Sequence, residues 1–173
     1  AISLSRVAIL VSSRANAIAM ENAPTPVQAA LLREFGAPPP KGVLASFIDV
    51  DKNGKTSYIF KGQSDQGSPL FVRMDEEGAV LEKSIAIPAE NIPEQVHNPV
   101  TQILGNTAIS GAREIRSGTD VRYELTAKSP EAGIQVAVRG DGTLISYSAQ
   151  FQPTDKEQRD QKAKKQSGQP VRE

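Results

Sequence analysis

The feature that most constrains this chain is a pattern that occurs twice. From Phe47 to Phe60, FIDVDKNGKTSYIF, two apolar-patterned runs meet across Asn53-Gly54, a residue pair suited to a β-hairpin corner because both positions tolerate positive φ. The Tyr58 strand, a further strand, an acidic-Gly turn and a last strand follow. The same outline returns about sixty-five residues later around Tyr123. Tyr58 corresponds to Tyr123 and Gly78 to Gly142, so the chain reads as an internal duplication.

Each copy is predicted to begin with a short helix. Thr25 is placed to cap the first and Pro26 to take its first helical position, where a missing N–H costs nothing. Val27, Ala30, Leu31 and Phe35 make its apolar face up to Gly36, after which Ala37-Pro38-Pro39-Pro40 forces an extended connector. Strands are expected at about 43–50, 55–61, 69–74 and 79–87, with turns at Asn53-Gly54, Asp65-Gln66-Gly67 and Glu77-Gly78. Tyr58, Phe60, Leu70, Val72 and Met74 alternate against Ser57, Lys61, Arg73 and Asp75, which predicts one buried and one wet face. Phe71 falls with the wet set, as an exposed aromatic.

Pro88 to Pro99 reads as a seam, and it offers two openings for the second helix. Asn98-Pro99-Val100 repeats Thr25-Pro26-Val27, whereas Ile92-Pro93-Glu94-Gln95-Val96 gives an alternative alignment that leaves Pro99 to kink or end the helix. Four more strands are expected at about 108–116, 119–128, 132–139 and 143–151. Val121, Tyr123, Leu125 and Ala127 alternate with Arg122, Glu124, Thr126 and Lys128, and Ile134, Val136 and Val138 with Gln135 and Arg139. The fold class is α+β: two tandem repeats, each a short helix followed by a four-stranded antiparallel meander.

Composition narrows the function classes. Twenty Lys and Arg balance twenty Asp and Glu, so no global field favours nucleic acid or an anionic membrane. The absence of cysteine removes disulfides and thiolate metal sites, and the single histidine, His97, leaves no imidazole pair for zinc or a proton relay. No apolar run approaches the roughly twenty residues a transmembrane helix needs. Residues 1–24 are read as an N-terminal helix or a targeting remnant. Leu4, Val7, Ala8, Val11, Ala15 and Ile18 have helical spacing, while Ala15-Asn16-Ala17 and Ala17-Ile18-Ala19 have the form of cleavage sequences. Residues 153–173 hold almost no apolar side chain and are expected to be a polar, disordered tail.

The pieces GKTSYIFKG with RMDEEGAVLEK, and GTDVRYELTA with VRGDGTLISYS, resemble the PepSY-like family, here as repeats over 25–88 and 89–152. The tandem arrangement is similar to the fold of the β-lactamase inhibitor proteins, in which two helix-plus-sheet repeats make one continuous curved sheet. The resemblance implies a periplasmic or secreted location, no catalysis, and binding or inhibition of another protein such as a peptidase. It supplies no functional residues.

Three sets of residues are candidates for function. Asp49, Asp51 and Asn53, followed by Gly54, have the alternating oxygens of the front of a calcium loop, but Phe60 stands where a bidentate Glu would close it. A plain hairpin corner is the competing reading. His97 has no nucleophile or orienting partner in sequence. The wet face, with Phe71, Arg73, Arg122, Glu124, Lys128 and Arg139, is the candidate partner-binding surface. No cofactor is expected. A structural subunit of an envelope assembly, or a small-molecule or calcium-binding module, are the alternatives to a protein-binding modulator.

Overall fold

A computed structural model describes residues 16–36 and 42–151, which form a mostly antiparallel β-sheet protein of nine strands and two short α-helices. In chain order these are β1 (Asn16–Ala17), α1 (Thr25–Phe35), β2 (Val43–Val50), β3 (Thr56–Gln63), β4 (Pro69–Met74), β5 (Val80–Ile87), α2 (Glu94–Leu104), β6 (Ile109–Ser117), β7 (Asp120–Lys128), β8 (Ala132–Arg139) and β9 (Leu144–Phe151). The chain divides into two compact units. The first runs up to Ile87 and takes in Arg113–Arg122, and the second comprises Pro88–Ala112 and the residues from Tyr123 onward.

In the first unit, β2, β3, β4 and β5 pair antiparallel with their chain neighbours. The register sets Ile48 opposite Tyr58, Phe60 opposite Val72, and Leu70 opposite Ile85. These side chains share one face because strand side chains alternate sides. The buried core there joins Tyr58, Phe60, Leu70, Val72 and Met74 to Val27, Ala30, Leu31 and Phe35 of α1. Burying a Phe, Leu or Met side chain contributes on the order of 1.5–3 kcal/mol, so this layer is what fixes α1 on the strands. Lys83 Nζ, 2.7 Å from Glu34 Oε2, adds a half-exposed ion pair between β5 and α1.

β1 corrects one expectation. Asn16 pairs with Ile48 and Ala17 with Phe47, and the Ile18 N–H donates to Ser46 O at 3.1 Å. The helix expected within residues 1–24 therefore does not run through Asn16, Ala17 and Ile18, because the backbone groups of these three residues are used by β2. The earlier part of that expectation, and the polar tail, lie outside the described residues.

The start of α1 is corrected by one residue. Pro24 occupies the cap position and no side chain caps the helix, so Thr25 is its first residue. Gln28 Nε2 instead donates to Ala23 O at 2.8 Å and Glu21 O at 3.2 Å, tying the first turn to a 3-10 turn at Met20–Asn22. The second unit opens alike. A 3-10 turn at Ala89–Asn91 precedes Pro93 at the cap of α2, so the helix takes the opening at Pro93 and carries Pro99 inside it. Val96, Val100 and Leu104 of α2 are buried, as are Ala132, Val136 and Val138 of β8, on which α2 packs.

Each helix rests on a glycine turn. A Cβ on Gly78 would stand 2.4 Å from the Pro26 carbonyl oxygen, and one on Gly142 would stand 2.4 Å from the Gln95 carbonyl oxygen. Both glycines have positive φ, 78° and 91°. Only glycine satisfies both the dihedral and the close approach.

Candidate functional site

The Asp-rich corner is built by backbone hydrogen bonding. Asp51 Oδ1 accepts from the backbone N–H of Asn53 at 2.8 Å and of Lys55 at 2.9 Å. Asp75 Oδ1 does the same for Glu77 at 3.1 Å and Ala79 at 2.8 Å. In both turns the glycine N–H returns to the aspartate carbonyl, Gly54 to Asp51 and Gly78 to Asp75. These are three-residue hairpin loops in which a short carboxylate satisfies N–H groups that the tight turn leaves without strand partners. Asp49 serves elsewhere, since its Oδ2 accepts from Arg73 Nη1 at 3.0 Å. In this structure Asp49 and Asp51 of the expected calcium loop are thus engaged by Arg73 and by the backbone of the corner. Among the described residues no group of three or more His, Cys, Asp or Glu could hold a metal ion.

The face of the first-unit strands opposite α1 carries the denser chemistry. Arg73 Nη1 donates to Asp49 Oδ2 and, at 3.1 Å, to Ser57 Oγ. The register explains the grouping: Asp49 stands opposite Ser57, Ile59 opposite Arg73, Lys61 opposite Phe71, and Phe71 opposite Ser84. Arg113 Nε donates to Ser84 Oγ at 2.9 Å, and Lys61 Nζ lies 5.5 Å from the centre of the Phe47 ring. Asp49 is 5% exposed and Ser84 fully buried, so this polar set is fixed rather than solvated. A guanidinium held by a carboxylate and a hydroxyl has few rotamers left to lose on binding.

Phe71 is on the expected face but is 4% exposed, with Ile59 fully buried beside this row. Its predicted exposure is corrected. Alternation assigns a side chain to a face, not to water. A face planted with long Lys and Arg side chains covers its apolar floor with their methylene stems. Arg73 and Arg122 are half-buried in this unit. In the second unit Glu124 is half-buried, and Lys128 and Arg139 are exposed.

The second unit's corresponding face is polar in a different way. Ser110 Oγ lies 3.2 Å from Thr126 O, Gln135 stands opposite Ser148, and Ala137 opposite Ser146. Small hydroxyls and amides stand there beside Glu124, Lys128 and Arg139. Ser84 and Arg113 were missed in the sequence because GAREIRS has charge on both parities and gives no clean alternation. The face of Ile59 was legible, since it shares parity with Ser57 and Lys61.

His97 lies on α2, exposed, beside a shallow hollow of about 260 Å³ lined also by Thr101, Leu104 and Thr107. Thr101 Oγ1 is 3.2 Å from His97 Nδ1 and donates to His97 O at 2.9 Å. That is a hydroxyl bonding back to its own helix turn. Among the described residues no helix is long and apolar enough to cross a membrane.

No protein-family model matches the chain, and no curated protein matches its sequence. Solved structures do. A Bacteroides eggerthii protein provisionally described as periplasmic has a TM-score of 0.55 at 14% identity, over 77% of this chain and 93% of that one. A DUF2874 family protein from Bacteroides uniformis has a TM-score of 0.53 at 16% identity, over 73% and 89% of the two chains. A BLIP-like protein from Bacteroides fragilis has a TM-score of 0.51 at 15% identity, over 77% and 90%. At such identities the likeness is one of fold, and the fold is BLIP-like, as the sequence led us to expect.

Proposed function

We propose that the chain is an exported, non-catalytic protein-binding module of the periplasm or cell envelope that inhibits or modulates a peptidase or another envelope enzyme. In this reading it is built from two tandem PepSY-like repeats over 25–88 and 89–152. The observation that carries the proposal is the Arg73, Asp49 and Ser57 cluster over Ile59 and Phe71. It is a fixed, largely buried polar network over an apolar floor on the strand face opposite α1, with Lys61 exposed on that face, and electrostatic pattern of this kind gives a protein surface specificity. The fold neighbours from the periplasm and the BLIP-like neighbour support the location and the class of activity. The matching glycine turns under α1 and α2 support the repeats.

The test begins with co-purification of the full chain with a stoichiometric envelope enzyme and measurement of that enzyme's activity. Lys61→Glu, at an exposed position on the same strand face, is expected to weaken binding by roughly tenfold through lost electrostatic complementarity. Binding untouched by this change removes this surface from the reading. Calcium at millimolar concentration is expected to leave Tm unchanged, since Asp51 is occupied with backbone N–H groups. A rise of several degrees would restore the metal-binding alternative.

A further inference from the structure

β9 is exposed along nearly its whole length, with Leu144, Ile145, Tyr147 and Phe151 at 47, 45, 49 and 79%. It pairs antiparallel with β8 on one side, and no strand among the described residues pairs with its other edge. An open edge is a row of backbone N–H and C=O groups ready for another strand. Proteins normally blunt such edges with charge, proline or shortness. LISYSAQF has eight residues, no charge and no proline.

The side chains of β9 are sorted by face. Phe151, Ala149 and Tyr147 stand opposite Ala132, Ile134 and Val136, and beyond the irregularity Leu144 stands opposite Val138. Ala132, Val136 and Val138 are buried in the second unit's core. The apolar side chains of β9 thus continue a core face outward into solvent, while Ser146, Ser148 and Gln150 occupy the other side.

The open backbone calls for a strand, and the side-chain pattern specifies which. From Ile145 to Phe151, ISYSAQF has the same order of apolar and polar residues read in either direction about Ser148. An antiparallel pair related by a two-fold axis at Ser148 sets Tyr147 against Ala149 of the second copy, Ile145 against Phe151, and Ser146 against Gln150. Apolar meets apolar on one face and polar meets polar on the other, which is what an isologous contact requires. A shift of one residue would oppose the two faces. With no charge of either sign, β9 meets a second copy of itself without like-charge repulsion. We propose that β9 is a homodimerisation edge, two copies pairing β9 to β9, antiparallel about Ser148.

The experiment measures the mass of the full chain by sedimentation over a concentration series. The expected result is a dimer that dissociates on dilution. Ser148→Lys, which sets two ammonium groups face to face at an exposed position, is expected to weaken it at least about tenfold with Tm unchanged. The chain has no cysteine, so the register is read by oxidation. Ser148→Cys is expected to cross-link to itself, because directly opposed residues have Cα atoms about 4.5–5.5 Å apart. Gln150→Cys, which faces Ser146, is expected to remain uncross-linked. A chain that is monomeric at every concentration overturns the proposal, and this is the result if the edge serves a foreign strand. A dimer that Ser148→Lys leaves intact, or one in which Gln150→Cys cross-links as readily as Ser148→Cys, overturns it as well.

Discussion

α1 and α2 each run for eleven residues from a proline cap to a glycine, and each sets the carbonyl of its second residue on the glycine of a hairpin turn, yet only α2 has a proline in its middle. In α1 the proline is Pro26, within the first turn, where helical N–H groups have no carbonyl to bond. In α2 it is Pro99, and the N–H it lacks is the one that would reach back to Gln95 O. Gln95 O is also the atom that faces Gly142. The missing helical bond and the close turn therefore meet at one oxygen. What the pair teaches is that the glycine turn, not helix regularity, is the device common to both units. The buried faces differ too: α1 contributes Leu31 and Phe35, whereas α2 contributes Val96, Val100 and Leu104.

The largest effect should come from filling the glycine approaches. Gly78→Ala and Gly142→Ala each drive a Cβ into a carbonyl oxygen at a positive φ, and each is expected to cost about 2–4 kcal/mol, read by urea melts. If Gly142→Ala proves much milder than Gly78→Ala, the proline has left α2 free to shift and the two dockings are not equivalent.

Pro99→Ala comes next. Restoring the N–H toward Gln95 O should stabilise the protein by about 1 kcal/mol or more, below the roughly 3 kcal/mol proline penalty of an unadapted helix, and raise Tm. A loss of stability would mean that Gln95 O is committed to the turn and that Pro99 is part of the docking.

The smallest effect separates the two turns themselves. Asp75 Oδ1 accepts two backbone N–H groups, while Asp141 Oδ1 accepts the Thr143 N–H at 2.9 Å. Asp75→Ala is expected to cost about 1 kcal/mol and Asp141→Ala less. The Thr143 backbone hydrogen bond holds the Asp141 carboxyl below its ordinary value. A carboxyl depressed in the folded state stabilises above its unfolded pKa and loses that contribution as pH falls through the folded one. Asp141→Ala should therefore flatten a small part of the acid limb of stability and change nothing near neutrality. An acid limb identical to that of the parent would show that the contact is not held in solution.

Much of the fold was legible before any coordinates. Strand limits such as 43–50, 69–74 and 132–139 follow from alternation bounded by turn residues, and both are local properties. The candidate face was legible only as a parity. The sequence placed Phe71 and Arg73 on the side away from Phe60 and Met74, but it could not say that Arg73 would reach Asp49 across an intervening strand. That depends on the β2–β3–β4 register.

By itself, then, the sequence determined the elements, their turns, the apolar faces and the charge balance, because each is set within a few residues by dihedral preference and side-chain period. The tertiary structure decided where α2 begins, that residues 16 and 17 form a strand, that Phe71 is buried, and that Asp49 belongs to Arg73. Those outcomes depend on which distant groups compete for the same backbone partner, the same oxygen or the same patch of surface, and only packing settles such competition.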